Sequence, residues 1–298
     1  MNMIFQRILK YGMSGSDVRY IKNQLFAAGY YAASITSIQN NVFGADTRAA
    51  VRIFQQNNLD ANGKRLTVDG TIGQKTWDAI ERTSSVEQNA AIPKNIGTMA
   101  AVAITPALVR VSKERSELVL QALSFAFDPE VPENFPRSLY IRGGNLYNSD
   151  LKLNIITAPL IESGAKKQPE YYNGGRAEMM KAAVRADPSI SGADCSGGIV
   201  GLLRKYGVVK PTFDTTADTL TGSFYSQAIQ QEALQSGDWV GKSGHIGLYA
   251  GGGYAVEWMG GAYGCQLSKL ADRRGYDFVA GKMKKQSSWT KYRKPNLY

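Results

Sequence analysis

Cys195 stands in the run Gly192-Ala193-Asp194-Cys195-Ser196-Gly197-Gly198, and His245 is the only histidine of the 298-residue chain. A thiol that is to act as a nucleophile needs a base, and the sequence offers one imidazole. Asp194 is of a type favoured at a helix N-cap. Ile199, Val200, Leu203 and Tyr206 follow at helical spacing before Gly207 supplies a stop. Cys195 is therefore predicted in the first turn of a helix, where unpaired amides and the positive end of the helix dipole favour thiolate over thiol. His245 opens an alternating stretch to Ala250, which Gly251-Gly252-Gly253 joins to a return strand from Tyr254 to Met259. An odd-length loop centred on Gly251 sets His245 directly opposite Glu257, with Cβ atoms roughly 5 Å apart. A two-residue loop sets Trp258 there instead. In the first register the three residues are nucleophile, base and orienting carboxylate, the logic of a catalytic triad.

The elements that must hold these residues belong to an ordinary globular chain, 43% hydrophobic and 20% charged, long enough for two domains with a core each. Thirty-five Lys and Arg against 25 Asp and Glu give a formal charge of +10. That balance steers toward polyanions such as anionic wall polymers, and no nucleic-acid motif accompanies it. The basic residues are scattered except near the end, where Lys282, Lys284, Lys285, Lys291, Arg293 and Lys294, with Trp289 and Tyr292 among them, read as a solvated basic tail. The two cysteines, Cys195 and Cys265, are expected to stay reduced. Met1 to Tyr11 shows no apolar stretch followed by a cleavage site, so synthesis in the cytoplasm without a secretory signal is expected. One histidine and two distant cysteines give no metal-ligand spacing, so neither metal nor cofactor is expected. The apolar run Met99 to Val109 is too short to span a bilayer, and stable membrane insertion is not expected.

Residues 8–80 carry an internal echo. Phe43-Gly44 with Thr47 and Ala50 matches Ile72-Gly73 with Thr76 and Ala79, each glycine ending a turn before a helix. Ser16 and Asp17 precede another helical pattern at Val18, Ile21 and Leu25. Together with Gly29-Tyr30-Tyr31, Phe54-Gln55, Val68-Asp69-Gly70 and Trp77, this segment resembles a small three-helix peptidoglycan-binding domain over residues 1–83. Tyr30, Tyr31 and Trp77 either stack on a sugar or stem peptide or belong to the core. Residues 84–107 have the composition of a linker. Ser112 is placed to cap a helix running to Phe125. Asp128 to Ser191 is the least patterned stretch, with a short strand at Tyr140-Ile141 and a helix from Arg176 to Arg185.

Residues 108–298 resemble an NlpC/P60-type cysteine peptidase, on Asp194-Cys195-Ser196-Gly197, Gly237-Asp238-Trp239, Gly244-His245-Ile246-Gly247 and Glu257. The resemblance implies an α+β, papain-like fold, an antiparallel sheet with the nucleophile at a helix N-terminus, behind the helical bundle. It also implies Cys195 as nucleophile, His245 as base, Ser196 and Tyr140 beside the substrate, and stem peptides of bacterial peptidoglycan as substrate. The bond it points to is that between D-Glu and the diamino acid. Two features depart from the family's pattern. The third residue there is most often His, sometimes Asn or Gln, and a carboxylate favours imidazolium more strongly than a neutral partner. The family's tyrosine segment usually lies just before the cysteine, whereas Tyr140 is far upstream. It is either the same element with an insertion behind it or an unrelated strand. The expected protein is a wall hydrolase of the phage-lysin kind, acting at the cell wall. An amidase or acyltransferase of the same fold and a non-catalytic wall-binding protein are the alternatives.

Overall fold

The chain divides into two units, Met1–Ala91 and Ile92–Tyr298. The computed structural model describes residues 3–27, 30, 40–85 and 92–298. Within the first unit, α1 (Ser16–Ala27), α2 (Ala45–Asn57) and α3 (Gln74–Ser85) enclose a core that includes Leu9, Ile21, Leu25, Phe43, Phe54, Ile72 and Ile80. The echo has a structural meaning. The carbonyls of Gly44 and Gly73 accept from Arg48 N and Trp77 N at 3.0 and 2.9 Å, so both helices start with the same turn. Gln55 locks the loop between them: its Nε2 donates to the Thr71 carbonyl at 2.8 Å while its Oε1 accepts from Gly70 N at 2.9 Å.

The second unit is built on an antiparallel sheet in the order β3-β10-β4-β5-β6-β7. Its strands are β3 (Ser226–Ala228), β4 (Trp239–Lys242), β5 (His245–Gly251), β6 (Tyr254–Trp258), β7 (Cys265–Lys269) and β10 (Lys291–Pro295). Ahead of it come α4 (Thr98–Leu108), α5 (Lys113–Ser124), β1 (Ser138–Tyr140), α6 (Ala158–Lys167), α7 (Pro169–Tyr172), α8 (Arg176–Ala186), β2 (Ser191–Ala193), α9 (Cys195–Lys205) and α10 (Ala217–Leu220). A separate hairpin pairs β8 (Arg274–Asp277) with β9 (Lys282–Lys285). Leucines and isoleucines of α4, α5 and α9 share one core with Trp239, Ile246, Leu248, Val256 and Trp258 of the sheet. The molecule is thus α+β, helical at the N-terminus and mostly antiparallel toward the C-terminus.

Two expectations are corrected. The stretch 84–107 is not a linker throughout: α4 occupies its second half, and Ala100, Ile104 and Leu108 are buried. Its small residues allow close packing rather than slackness. A Cβ on Gly251 would lie 2.4 Å from Ala107 Cβ, and one on Gly252 would lie 2.3 Å from the Ala103 carbonyl oxygen, so helix and hairpin nearly touch backbones. The basic run near the end is not a tail but two strands, β9 and β10, with a buried Trp289 between them. Several of its cations are tied down: Lys284 pairs with Asp277 at 2.6 Å, Lys291 with Asp218 at 3.2 Å, and Arg293 Nη2 donates to the Ser226 carbonyl at 2.9 Å.

Candidate active site

Helix α9 begins at Cys195 because Asp194 caps it: the Asp194 carboxylate accepts from Gly197 N at 2.8 Å and from Gly143 N at 2.9 Å. Glycines let neighbours crowd this helix mouth. The space a Cβ of Gly197 would need is taken by the Gly144 carbonyl oxygen at 1.9 Å, and that of Gly198 by the Trp258 ring at 2.1 Å. Cys195 is held with little exposure, 7%. Its Sγ donates to the Gly244 carbonyl oxygen at 3.8 Å, and the Ile246 amide hydrogen-bonds the sulfur from the other side of His245. The thiol is therefore seated against the backbone on both flanks of the imidazole.

Burial, and then the nearby Asp194 carboxylate, push the Cys195 thiol up to about 11, against the pull of the Ile246, Ser196 and Cys195 amides. This corrects the expectation of an acidified cysteine. The amides at the helix mouth favour the thiolate as anticipated, but desolvation outweighs them.

His245 is the first residue of β5, presented by the turn Ser243-Gly244, where Gly244 has φ +68°. The Asp218 carboxylate of α10 accepts from Gly244 N at 3.0 Å and from Lys291 Nζ at 3.2 Å, fixing that turn to β10. His245 Nε2 lies 2.7 Å from Glu257 Oε2. Burial alone would raise the Glu257 carboxyl, but hydrogen bonds from His245 and Arg273 and their charges hold it down at about 2. An ionised carboxylate can only accept, so the ring proton sits on Nε2 and Nδ1 is left as the acceptor of the neutral imidazole. Nδ1 has no hydrogen-bond partner among the described residues.

Glu257 does not stand opposite His245, as the hairpin count had it. Leu248 pairs with Val256 and Tyr249 with Ala255, the register shifting between Tyr249 and Gly251. Continued toward His245, this ladder brings Gly247 across from Glu257 and leaves His245 on the diagonal. A diagonal of roughly 7–8 Å between backbones is within reach of a glutamate and an imidazole on one face. Gly247 leaves room for Trp289, whose ring is stacked with His245 at 5.5 Å between centroids and 8° between planes. A Gly247 Cβ would lie 3.1 Å from that ring.

Four contributors escaped the sequence reading. Arg273 Nε donates to Glu257 Oε1 at 2.9 Å, its Nη2 donates to Oε2, and its Nη1 donates to the Ser287 carbonyl at 2.8 Å. Its guanidinium lies 4.4 Å from the Trp289 ring centroid. Ser268 Oγ donates to Glu257 Oε1 at 2.6 Å. Trp289 and Asp218 complete the set. Alternation along β7 marks Ser268, but nothing in Asp272-Arg273-Arg274 distinguishes an ion-pair partner from a solvated turn.

Tyr140 closes one flank. Strand β1 pairs in parallel with β2, Tyr140 beside Ala193, two positions before Cys195. The upstream strand is thus adjacent to the cysteine, with residues 141–190 inserted between. Burial, then the Cys195 and Asp194 charges, raise the Tyr140 phenol, which stays protonated. Ser196 does not present its hydroxyl outward: Oγ donates to Asp194 Oδ1 at 3.0 Å. Asp238 is structural, 1% exposed and paired with Arg115 at 2.7 Å. Cys195 and Cys265 are both free thiols.

In the bundle, Trp77 is 3% exposed, against Phe5 and Tyr20, and offers no face for stacking on a ligand. Tyr30 packs edge-on to Phe54 at 4.9 Å, with its hydroxyl accepting from Asn58 Nδ2 at 2.9 Å. Trp77 is a core residue, because burying a large ring gains more than leaving it in water, whereas Tyr30 is half-buried at the edge of that core. Tyr31 lies outside the described residues. Among the described residues no His, Cys, Asp and Glu cluster is suited to a metal ion, and no helix is long and apolar enough to cross a membrane.

Residues 14–80 match the family described as "Putative peptidoglycan binding domain". No curated protein and no solved structure matches the chain. The match supports association with the cell wall and peptidoglycan as a partner, through the N-terminal helical bundle.

Proposed function

We propose that residues 92–298 form a papain-like cysteine peptidase that cuts peptidoglycan stem peptides, brought to its substrate by the N-terminal bundle. One observation carries this reading: Cys195 Sγ is seated against the backbone on either side of His245, whose Nε2 is tied to Glu257 at 2.7 Å. The thiol passes its proton to Nδ1 as sulfur bonds to the peptide carbonyl carbon. Glu257 and Arg273 hold the imidazolium in place during that transfer. The Cys195 amide, at a helix start with no acceptor inside the helix, and the protonated Tyr140 phenol are the available donors to the oxyanion. Collapse breaks the C–N bond, with His245 protonating the leaving amine. Water then attacks the thioester, giving its proton to His245, and the carboxylic acid leaves as the thiol is restored. The bond between D-Glu and the diamino acid is the expected target. Tethering raises the local concentration of wall substrate around the thiol.

Cys195→Ala should abolish turbidity loss on purified walls while leaving wall sedimentation of the full chain unchanged. Lysis at the wild-type rate would end the proposal. Masses of the released fragments separate a stem-peptide cut from amidase or acyltransferase chemistry. Wild-type protein that sediments with walls but releases nothing would identify a wall-binding protein without catalysis.

A further inference from the structure

The β4–β5 hairpin turns through Ser243 and Gly244, so Lys242 and His245 are the last facing pair of its ladder. Facing residues of an antiparallel pair share one side of the sheet, with Cβ atoms roughly 5 Å apart. Val240, two positions before Lys242, packs with Ala255 and Trp289. Lys242 therefore belongs to the face on which Trp289 lies against the imidazole. The turn is fixed, because the Asp218 carboxylate accepts from Gly244 N at 3.0 Å. Lys242 is half-buried and has no carboxylate within ion-pair reach among the described residues. A cation thus stands across from the proposed base with no counter-charge of its own.

The proposed attack needs that base unprotonated. The Cys195 thiol, pushed up to about 11, still carries its proton at neutral pH, so His245 must be neutral to accept it. Most of its neighbours favour the imidazolium instead. Glu257 meets the ring nitrogen at 2.7 Å, whereas Arg273 bears on the ring through that carboxylate and through Trp289. The indole face favours a cation stacked upon it. From α9 come the neutral Cys195 thiol and, behind it, the Asp194 carboxylate and the protonated Tyr140 phenol. Asp218 and Lys291, 3.2 Å apart at the turn, offset one another. The charge that opposes this set from directly across the ladder is Lys242.

Resting on the peptidase reading, we infer that Lys242 is a positioning residue for the base, its cation holding His245 in the neutral form at working pH. Two unit charges about 6 Å apart in a water-like medium move a titration midpoint by about half a pH unit.

The test is a proton NMR titration of the His245 C2–H resonance in the full chain at low salt. Wild type is compared with Lys242→Gln, Lys242→Glu and Lys242→Arg. The midpoint should rise by about half a unit in Lys242→Gln, by about one unit in Lys242→Glu, and stay in place in Lys242→Arg. In about 1 M sodium chloride, where the screening length falls to about 3 Å, these differences should collapse. The acid limb of wall lysis should move with the midpoint. Near-ultraviolet circular dichroism checks that each variant keeps its fold. Midpoints that coincide in all four proteins, an equal shift in Lys242→Arg and Lys242→Gln, or a shift unchanged by high salt would overturn the inference. The titration needs no turnover and is read separately from lysis. A fixed midpoint with Cys195-dependent lysis sinks the role of Lys242 alone, and Cys195-independent lysis sinks the peptidase reading.

Discussion

Glu257 meets His245 across a diagonal of the β5–β6 ladder, and the carboxylate that reaches the imidazole is shared with Arg273. The side chain directly across from Glu257 is missing, since Gly247 stands there, and Trp289 fills the space against the His245 ring. A glutamate in this place would by itself bind imidazolium tightly. The buried guanidinium offsets its charge, so the orienting group acts as a compensated pair rather than a bare anion.

Glu257→Gln should destabilise the C-terminal unit at neutral pH by roughly 3–5 kcal/mol, because it leaves the buried Arg273 without a counter-charge. The effect should depend on pH in a defined direction. Glu257 is held at about 2 against an ordinary 4.5, so its ionised form stabilises the fold. That contribution is fully present above the ordinary carboxylate range and is lost as pH falls through it toward about 2. The gap corresponds to roughly 3 kcal/mol. Urea unfolding of wild type and variant at pH 7 and pH 3 measures it. A difference that stays constant between the two would refute the assignment.

The parts of this site that could be read beforehand are those set by local chemistry. Asp194 as cap, Cys195 at the helix start and the His245–Gly251 strand follow from residue types within a few positions of one another. The β5–β6 register was not legible, because three consecutive glycines permit several turns and the observed ladder shifts near Gly251. Arg273 and Trp289 are brought in by later chain segments and carry no local signal. The thiol's poise is not legible for a related reason: the dipole at a helix mouth is local, whereas the burial that outweighs it depends on distant chain such as the β4–β5 turn, whose Gly244 carbonyl lies against the sulfur.

Arg273→Gln should leave the Glu257 charge facing only His245 and the Ser268 hydroxyl. Imidazolium is then favoured, and an imidazole already protonated cannot take the thiol's proton. Because His245 is the sole histidine, its C2–H proton resonance can be followed in the intact chain without assignment. At pH 7 that resonance should move toward the imidazolium position in the variant, and wall lysis should fall with its optimum displaced to higher pH. Other ionisable groups close to this cluster are the Cys195 and Cys265 thiols, both held neutral by burial, the Asp194 carboxylate and Tyr140 phenol beside Cys195, and the Asp218–Lys291 pair at the Gly244 turn. An unmoved resonance would show that Arg273 serves the fold and not the poise of the ring.

Alkylation reports the thiol directly. In the folded protein Cys265 is fully buried and its thiol lies well above the ordinary range, so iodoacetamide should label Cys195 alone. Labelling should be slow at pH 7 and rise through pH 9 to 11, following the raised thiol. Asp194→Asn keeps a good N-cap while removing the nearest negative charge, so the curve should move to lower pH with little loss of stability. Labelling already at its plateau at pH 7 in the wild type would mean that the helix mouth overcomes burial.

Gly197→Ala tests whether the helix mouth must be this crowded. The added methyl would lie 1.9 Å from the Gly144 carbonyl oxygen and 2.8 Å from the Gly144 carbonyl carbon, backbone atoms that no rotamer change can clear. The loop cannot withdraw freely either. Asp194 N donates to the Gly144 carbonyl at 2.9 Å, Leu146 N donates to the Gly197 carbonyl at 3.0 Å, and Gly143 N donates to the Asp194 carboxylate. Overpacking of this kind costs about 1–3 kcal/mol, and it displaces the Cys195 sulfur from its seat beside His245. Ser196→Ala, one position away, removes only the hydroxyl bonded to Asp194 and should cost about 1 kcal/mol with lysis largely kept. The N-terminal bundle has its own core, so both variants should sediment with walls as the wild type does. Thermal melts, pelleting and turbidity assays on the two variants together check this. Equal lysis by Gly197→Ala and wild type would show that the sulfur tolerates a shift which the proposed attack on the carbonyl does not.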